Sequence, residues 1–395
     1  MIEREIGNRG SKSVKGFNIL TSQSAKKPGT VKEQRVDGSW HINLCLRCTL
    51  ISFKRNHTVN TLSKKQIKSK CYYSTDTTKT SPLPTYTGSC VINPWFVTGF
   101  TDAEGSFIIQ VRKRNNHWYC GVSFAISLHK KDLALLKLIQ AYFGGIGSIY
   151  IHGKDSYQYV ISSAEQITTK VLPHFDNYPL ITKKYSDYRL FKVAITLMNS
   201  EKQDRTTDRG AAREVFIEKI VAIRASLNRG WTSVLKASFP NIVPVTRPSV
   251  VNNQVPHPQW IAGFTSGEGC FIIKTSVNRK SKLGYGVQLL FQITQDGRDE
   301  LLMGSLVTYF GCGRVVKNVE HNLNKVNFHV TKFSDIRDKI IPFFRQHNIL
   351  GEKLYNFEDW CRAGEIIKNK EHLTKEGLDQ IFKIKAGTNK GRSFS

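Results

Sequence analysis

The chain has 395 residues and carries 58 Lys+Arg against 31 Asp+Glu, a formal charge of +27. That balance argues against a neutral metabolic enzyme and for a polyanionic partner. Its 40% hydrophobic and 11% aromatic residues can fill two or three cores, and no run reaches the roughly 18 apolar residues of a membrane span, so no membrane partner is expected. Eight dispersed cysteines, most of them within apolar runs, point to a reducing compartment rather than a disulfide framework.

Residues 1–90 hold 16 Lys+Arg and 5 Asp+Glu, a balance of 16 − 5 = +11, with much Ser, Thr and Asn and little apolar periodicity. They read as a basic, poorly ordered leader. Glu3 and Glu5 at its start, with no following apolar run and cleavage site, do not fit a secretory signal. Cys45 and Cys48 form one CxxC pair, but a second pair is missing, so no zinc site is expected.

Beyond residue 90 the chain repeats itself. Residues 99–109 (GFTDAEGSFII) and 263–273 (GFTSGEGCFII) agree at 8 of 11 positions with an offset of 164. Tyr142-Phe143-Gly144 returns as Tyr309-Phe310-Gly311, and Pro173 with Phe175 returns as Pro342 with Phe344. The chain therefore divides into a first repeat, 91–239, a Pro-rich linker, 240–258, and a second repeat, 259–395. Pro94 and Pro258 each open a short apolar helix that ends at Glu104 or Glu268, with Gly105 or Gly269 in the place of a C-terminal capping glycine. Alternation then predicts strands over 106–112, about 118–127, 147–152 and 156–162, with a helix over 131–143 and further helices to 230. In the second half the same order falls on 270–278, 284–294, 299–310, 314–319, 326–331 and helices beyond 335. The class is α+β: two pseudo-symmetric αββαββα repeats whose antiparallel sheets form a saddle, with the helices on the other side.

Val97–Gly105 (VTGFTDAEG) and Ile261–Gly269 (IAGFTSGEG) each resemble the motif of the LAGLIDADG homing endonucleases. Two copies at this spacing are similar to the monomeric, double-motif branch encoded by introns of fungal mitochondrial genomes, over residues 93–391 and leaving the leader outside. The resemblance implies intron homing by site-specific double-strand cleavage of a long, non-palindromic DNA target, a mitochondrial location, and Glu104 and Glu268 as catalytic acids. It also implies metal ligation by these acids together with the carbonyls of Ala103 and Gly267. The alternative is an RNA maturase, binding intron RNA without cutting DNA.

The chemistry also follows from the residues. Gly99, Ala103, Gly263 and Gly267 give the two helices small faces that permit close packing, which brings Glu104 and Glu268 together. Two carboxylates at helix C-termini repel each other and oppose the helix dipoles, a conflict that a divalent cation such as Mg²⁺ resolves. Asp102, matched by Ser266, is auxiliary at most. Lys184 and Lys353, related by an offset of 169, are candidate catalytic lysines, as is Gln292, whose counterpart is Ala125.

Period-two reading assigns a DNA-facing set. In the first repeat it is Ser106, Ile108, Gln110, Arg112, Arg114, Tyr119, Ser123, Ser127, Ser148, Tyr150, Gln158 and Ser162. In the second it is Cys270, Ile272, Lys274, Ser276, Asn278, Gln288, Thr294, Arg314, Asn318, Asn327, His329 and Thr331. Lys113, Arg279, Lys280 and Lys282 are expected as loop contacts to phosphate.

Overall fold

The structure, a computed structural model, describes residues 91–203, 211–250, 253–318 and 324–388. The leader with its CxxC pair lies outside the described residues. Chain order in the first repeat is α1 (Pro94–Glu104), β1 (Gly105–Arg114), β2 (His117–His129), α2 (Leu133–Tyr142), β3 (Ser148–Ile151) and β4 (Ser156–Ile161). The short α3 (Ala164–Gln166) and α4 (Leu172–Asn177) follow, then α5 (Lys184–Gln203), α6 (Ala211–Ala225) and α7 (Ser233–Ser238). The second repeat runs α8 (Pro258–Glu268), β5 (Gly269–Val277), β6 (Tyr285–Asp296), α9 (Glu300–Phe310), β7 (Arg314–Asn318) and β8 (Lys325–Val330). It ends with α10 (Phe333–Asp335), α11 (Ile341–Gln346), α12 (Lys353–Lys368) and α13 (Lys375–Ala386).

Each repeat builds one antiparallel sheet, ordered β1-β2-β4-β3 and β5-β6-β8-β7. The registers are equivalent: Ser106 faces Ala125 and Cys270 faces Gln292, so the sequence offset survives as a pseudo-twofold. Phe107, Ile109, Phe124 and Ile126 line one core, and Phe271, Ile273, Phe291 and Ile293 line the other. Aromatic edge contacts tie each sheet to its helices, as between Phe107 and Phe175 at 5.4 Å and between Phe271 and Phe344 at 5.8 Å.

One local expectation differs from what is seen, and one feature is new. Gly105 and Gly269 are extended, with φ near −73° and −72°, and are not left-handed caps. A Cβ at either would overlap the Thr101 or Thr265 side chain one turn back, so glycine is needed for close approach. The helix that carries Pro173 widens first into a π turn, Ile167–Val171, and Pro342 is preceded in the same way by Ile336–Ile340. A wide turn accommodates a proline that would otherwise break the ladder.

Helices α1 and α8 pack in parallel, backbone against backbone. A Cβ on Gly99 would run into the carbonyl oxygen of Trp260, and one on Gly263 into that of Phe96. On the flanks of this pair the repeats exchange contacts. Asp132, after β2, accepts the Glu352 N–H at 2.7 Å, and Asp299, after β6, accepts the Lys183 N–H at 2.8 Å. The linker is pinned to the first repeat by Arg247, which donates to Asp187 at 2.7 Å and to the carbonyls of Ser226 and Lys183. It ends at His257, whose side chain caps α8, while Pro258 is already helical.

Gly99→Ala is expected to cost about 1–3 kcal/mol or more, because the obstruction is main chain and cannot rotate away. Gly304→Ala in α9, where an added Cβ meets nothing within 4 Å, is expected to gain about 0.5–1 kcal/mol. Urea unfolding of both variants checks the pair.

Burial pushes the Asp299 carboxyl up to about 6, and its Oδ2 has no partner. A carboxyl raised in the folded state binds its proton more tightly there. It therefore stabilises fully below its unfolded value, and that stability is lost as pH rises through about 6. Unfolding midpoints from pH 4 to 8 should show wild type losing up to about 3 kcal/mol relative to Asp299→Asn.

Candidate active site and nucleic-acid interface

Glu104 and Glu268 are the last residues of α1 and α8, and the parallel packing brings these ends together. A Cβ on Gly267 would stand 3.1 Å from Glu104 Cγ and 3.4 Å from its Oε1, so the first carboxylate lies across the end of the second helix. Burial raises the Glu268 carboxyl above its ordinary value, and the charge of Glu104 adds to this. Lys184 and Lys353, the first residues of α5 and α12, reach the same place. Lys184 Nζ donates to Ala103 O at 2.6 Å and Thr101 O at 3.2 Å, and Lys353 Nζ donates to Gly267 O. Each lysine thus satisfies a terminal carbonyl, Ala103 O or Gly267 O, at the negative end of a motif helix. Loss of solvation lowers both ammonium pKa values, and nearby carboxylates, including Glu104 and Glu268, oppose the shift. The carbonyls expected as metal ligands are therefore the acceptors of the two lysines.

Asp102 is buried and structural. Its oxygens accept from Ile181 N, Thr182 N, Thr182 Oγ1 at 2.5 Å and Trp260 Nε1 at 2.8 Å, tying α1 to the turn before α5 and to α8. Burial raises its pKa, and these hydrogen bonds hold the rise back. Ser266 repeats the role without a charge, accepting from Leu350 N at 3.1 Å.

Gln292 stands across from Cys270, on the saddle face. It is bound into a network in which its Nε2 donates to Thr294 Oγ1 at 2.8 Å and Asn327 Oδ1 at 3.3 Å, and its Oε1 meets His329 Nε2 at 2.9 Å. None of these bonds reaches either glutamate.

The register places Ser106, Ile108, Gln110 and Arg112 beside Ala125, Ser123, Gly121 and Tyr119, and Gln158 between Ser127 and Tyr150. A groove of about 660 Å³ runs over Ile108, Gln110, Ser123, Ser148, Tyr150, Gln158 and Ser162. Over the second sheet a groove of about 590 Å³ is lined by Ile272, Lys274, Ser276, Gln288 and Lys385, and Lys385 also bonds Thr275 at 2.6 Å. Arg314 pairs with His329 in the register, and Arg114 ends β1. Asn318 closes β7, while Ser162, Asn278 and Thr331 lie just beyond strand ends.

Three expectations need correction. Ser123 and Asn327 are only 4% and 6% exposed, forming the floor of the face rather than its reach. Lys113 is not in a loop: it sits in β1 on the helix side, with its ammonium 5.9 Å from the Trp118 ring. Arg279, Lys280 and Lys282 do occupy the exposed β5–β6 turn.

Sequence reasoning missed Gln295, which is 9% exposed and hydrogen-bonds the Glu268 side chain. Its signal was a polar residue on the core-facing register where the first repeat has Leu128. Also missed was the cleft of about 360 Å³ beside Glu104, walled by Lys183, Lys184, Arg224 and Arg229.

Residues 97–195 and 261–363 match the family described as LAGLIDADG endonuclease. A Neurospora crassa protein named probable intron-encoded endonuclease 3 is 39% identical over 401 residues, 96% of this chain and 69% of that protein. The match extends well into the N-terminal 90 residues, beyond the expected 93–391. Probable intron-encoded endonuclease 2 of the same organism is 41% identical over 77% of this chain and 67% of its own length. The solved I-SmaMI LAGLIDADG homing endonuclease bound to cleaved DNA superposes with a TM-score of 0.71 at 45% identity, covering 76% of this chain and 98% of that one. I-GzeII in complex with its DNA target gives the same TM-score at 40% identity, covering 76% and 100%. With both motif helices packed against each other and both glutamates at their ends, the chain belongs to the LAGLIDADG endonuclease family.

Proposed function

We propose that the protein is a site-specific endonuclease that hydrolyses one phosphodiester in each strand of a long, non-palindromic DNA duplex, using a divalent cation, Mg²⁺. The observation that carries this reading is the meeting of Glu104 and Glu268 at one end of the α1–α8 contact, with a lysine from each repeat bonded to the adjacent main chain. A single chain supplies both halves of this centre, which fits a monomer. The relatives include proteins named for ND4 and cox1 introns, which supports a mitochondrial location.

The donor set suits the cation. Among the described residues no cluster of three His, Cys, Asp or Glu side chains forms. Mg²⁺ is commonly held by one or two carboxylates, with water and substrate phosphate completing its shell. Glu104 and Glu268 would hold it, and the carbonyls of Ala103 and Gly267 each retain a second lone pair beside the lysine bond. Such a cation lowers the pKa of water and offsets charge on the leaving oxygen. Lys184 and Lys353 place their amines beside the reacting phosphate in a partly desolvated site, where burial draws their pKa down and the two glutamates draw it up. The two sheets present unlike faces, Gln110 against Lys274 and Ala125 against Gln292, so each reads a different half-site.

Glu104→Gln or Glu268→Gln is expected to abolish double-strand cleavage while specific binding persists, since each removes a carboxylate and no base contact. Cleavage and gel-shift assays on one target duplex check this, and wild-type cutting in either variant refutes it. Lys274→Gln is expected to change base preference in one half-site only, by about 1–3 kcal/mol for a bidentate contact, whereas Lys280→Ala weakens all sequences alike. A profile over single-base target variants at two salt concentrations separates the two effects.

A further inference from the structure

The lysines are carried on helices whose starts are held from the opposite repeat. Lys184 opens α5, and the preceding amide, Lys183 N–H, donates at 2.8 Å to Asp299 of the second repeat. Lys353 opens α12, and the preceding amide, Glu352 N–H, donates at 2.7 Å to Asp132 of the first repeat. The two aspartates are equivalent under the repeat, 299 − 132 = 167, as are the two amides, 352 − 183 = 169. Ion pairs flank both contacts, and in both the first repeat supplies the cation: Lys131 Nζ lies 3.4 Å from Glu352 Oε1, and Lys183 Nζ 2.9 Å from Asp296 Oδ2. A Cβ on Gly351 would overlap Asp132 Oδ1, so the carboxylate is pressed against the main chain of the turn before α12.

We propose that Asp132 and Asp299 are crossed positioning residues: each fixes the start of the other repeat's helix and so holds that repeat's lysine, Lys353 or Lys184, on the carbonyl beside its glutamate. A carboxylate on an N-terminal amide both satisfies an orphan donor and complements the helix dipole. Because the lysine is the next residue, freedom at the turn becomes freedom at the ammonium. The crossing also means that neither half can set its own lysine without the other in place.

The two helices do not depend on their caps equally. Lys184 N–H also donates at 3.2 Å to Thr182 Oγ1, itself bound to Asp102, so α5 has a second anchor within its own repeat. In its own repeat the turn before α12 is tied three residues before Lys353, through Leu350 N–H on Ser266 Oγ, and Glu352, the N-cap residue, gives no side-chain cap. Loss of Asp132 should therefore be felt at Lys353 more strongly than loss of Asp299 at Lys184.

The role in cleavage rests on the nuclease reading above; the placement of the lysines does not, and two measurements keep them apart. The first is amine labelling of the full chain with acetic anhydride, mapped by peptide mass. Asp299→Ala should raise labelling of Lys184 several-fold and leave Lys353 unchanged, and Asp132→Ala should do the reverse with the larger effect. Asp299→Asn and Asp132→Asn keep an acceptor oxygen and should restore the wild-type pattern. The second is strand-resolved cleavage of a target duplex. Asp299→Ala should slow the same strand as Lys184→Ala, and Asp132→Ala the same strand as Lys353→Ala, with KM little changed. A loss that is merely structural would slow both strands alike.

Unchanged labelling of both lysines, equal labelling of both, or an effect on the lysine of the aspartate's own repeat each overturns the inference. Should an alanine variant fail to fold, amide exchange in the wild-type protein decides the matter: the Lys183 and Glu352 amides should be protected, and fast exchange at either overturns it. A wild-type protein that leaves its target uncut would refute the nuclease reading, and the labelling result would still stand.

Discussion

Two helix backbones touch at Gly99 and Gly263, with each glycine seated on a carbonyl of the facing helix, and this contact constrains the rest of the molecule. No side chain larger than hydrogen fits there, and the parallel helices stay in close contact from Phe96 and Trp260 to Glu104 and Gly267. Register brings the two C-termini together, and with them Glu104 and Glu268. Such an end gathers two carboxylates and two sets of unpaired carbonyls, all of one sign. The compensation is visible: Lys184 and Lys353 sit on those carbonyls. The same carboxylates help both ammonium groups stay charged against their loss of solvation. The centre is thus a balance of opposed charges held by packing, and its chemistry follows from the packing.

Geometry is shared between the halves, but the chemistry that maintains it is not. The turn before the lysine helix is tied to the motif helix through a buried carboxylate in one repeat and a hydroxyl in the other, Asp102 against Ser266. Asp102 spans further, because it also accepts from Trp260 of the partner helix and so fastens the two repeats as well as its own turn. Hydrogen bonds from four donors make its burial tolerable, whereas Ser266 requires no such compensation. A symmetric frame therefore tolerates unequal parts wherever each part satisfies its own polar groups.

Much of this was legible in the sequence. Period-two alternation gave the inward and outward faces of β1, β2, β5 and β6, and the repeat itself pointed to the candidate site, because Glu104 and Glu268 recur at the same point in matching segments. What stayed hidden depends on three-dimensional partners. Lys184 and Lys353 were visible by symmetry, but not the carbonyls they cap. Asp132 and Asp299 carried no signal of their own, since their partners lie 220 and 116 residues away in the other repeat. Gly105 and Gly269 read as capping glycines because helix ends favour them, yet steric pressure from Thr101 and Thr265 decides their identity. Ser123 and Asn327 followed the alternation correctly but lie at the bottom of a curved face, which a flat reading of the strands cannot show.

That curvature matters for recognition. Side chains at the bottom of the second sheet are spent on one another, with Gln292, Thr294, Asn327 and His329 closing a single network. His329 is held below its ordinary pKa by burial, then by the charges of Lys274 and Arg314, which favours the neutral ring. A neutral ring offers one donor and one acceptor, and the bond to Gln292 uses one of them. The network is thus fixed before any DNA arrives and adds no charge of its own. On the proposed function, attraction to phosphate falls to the basic residues around it, of which Lys274 and Arg314 lie close enough to shift the imidazole. Discrimination between bases then falls to side chains whose polar atoms point out of the floor, and the floor contributes by keeping those side chains in place.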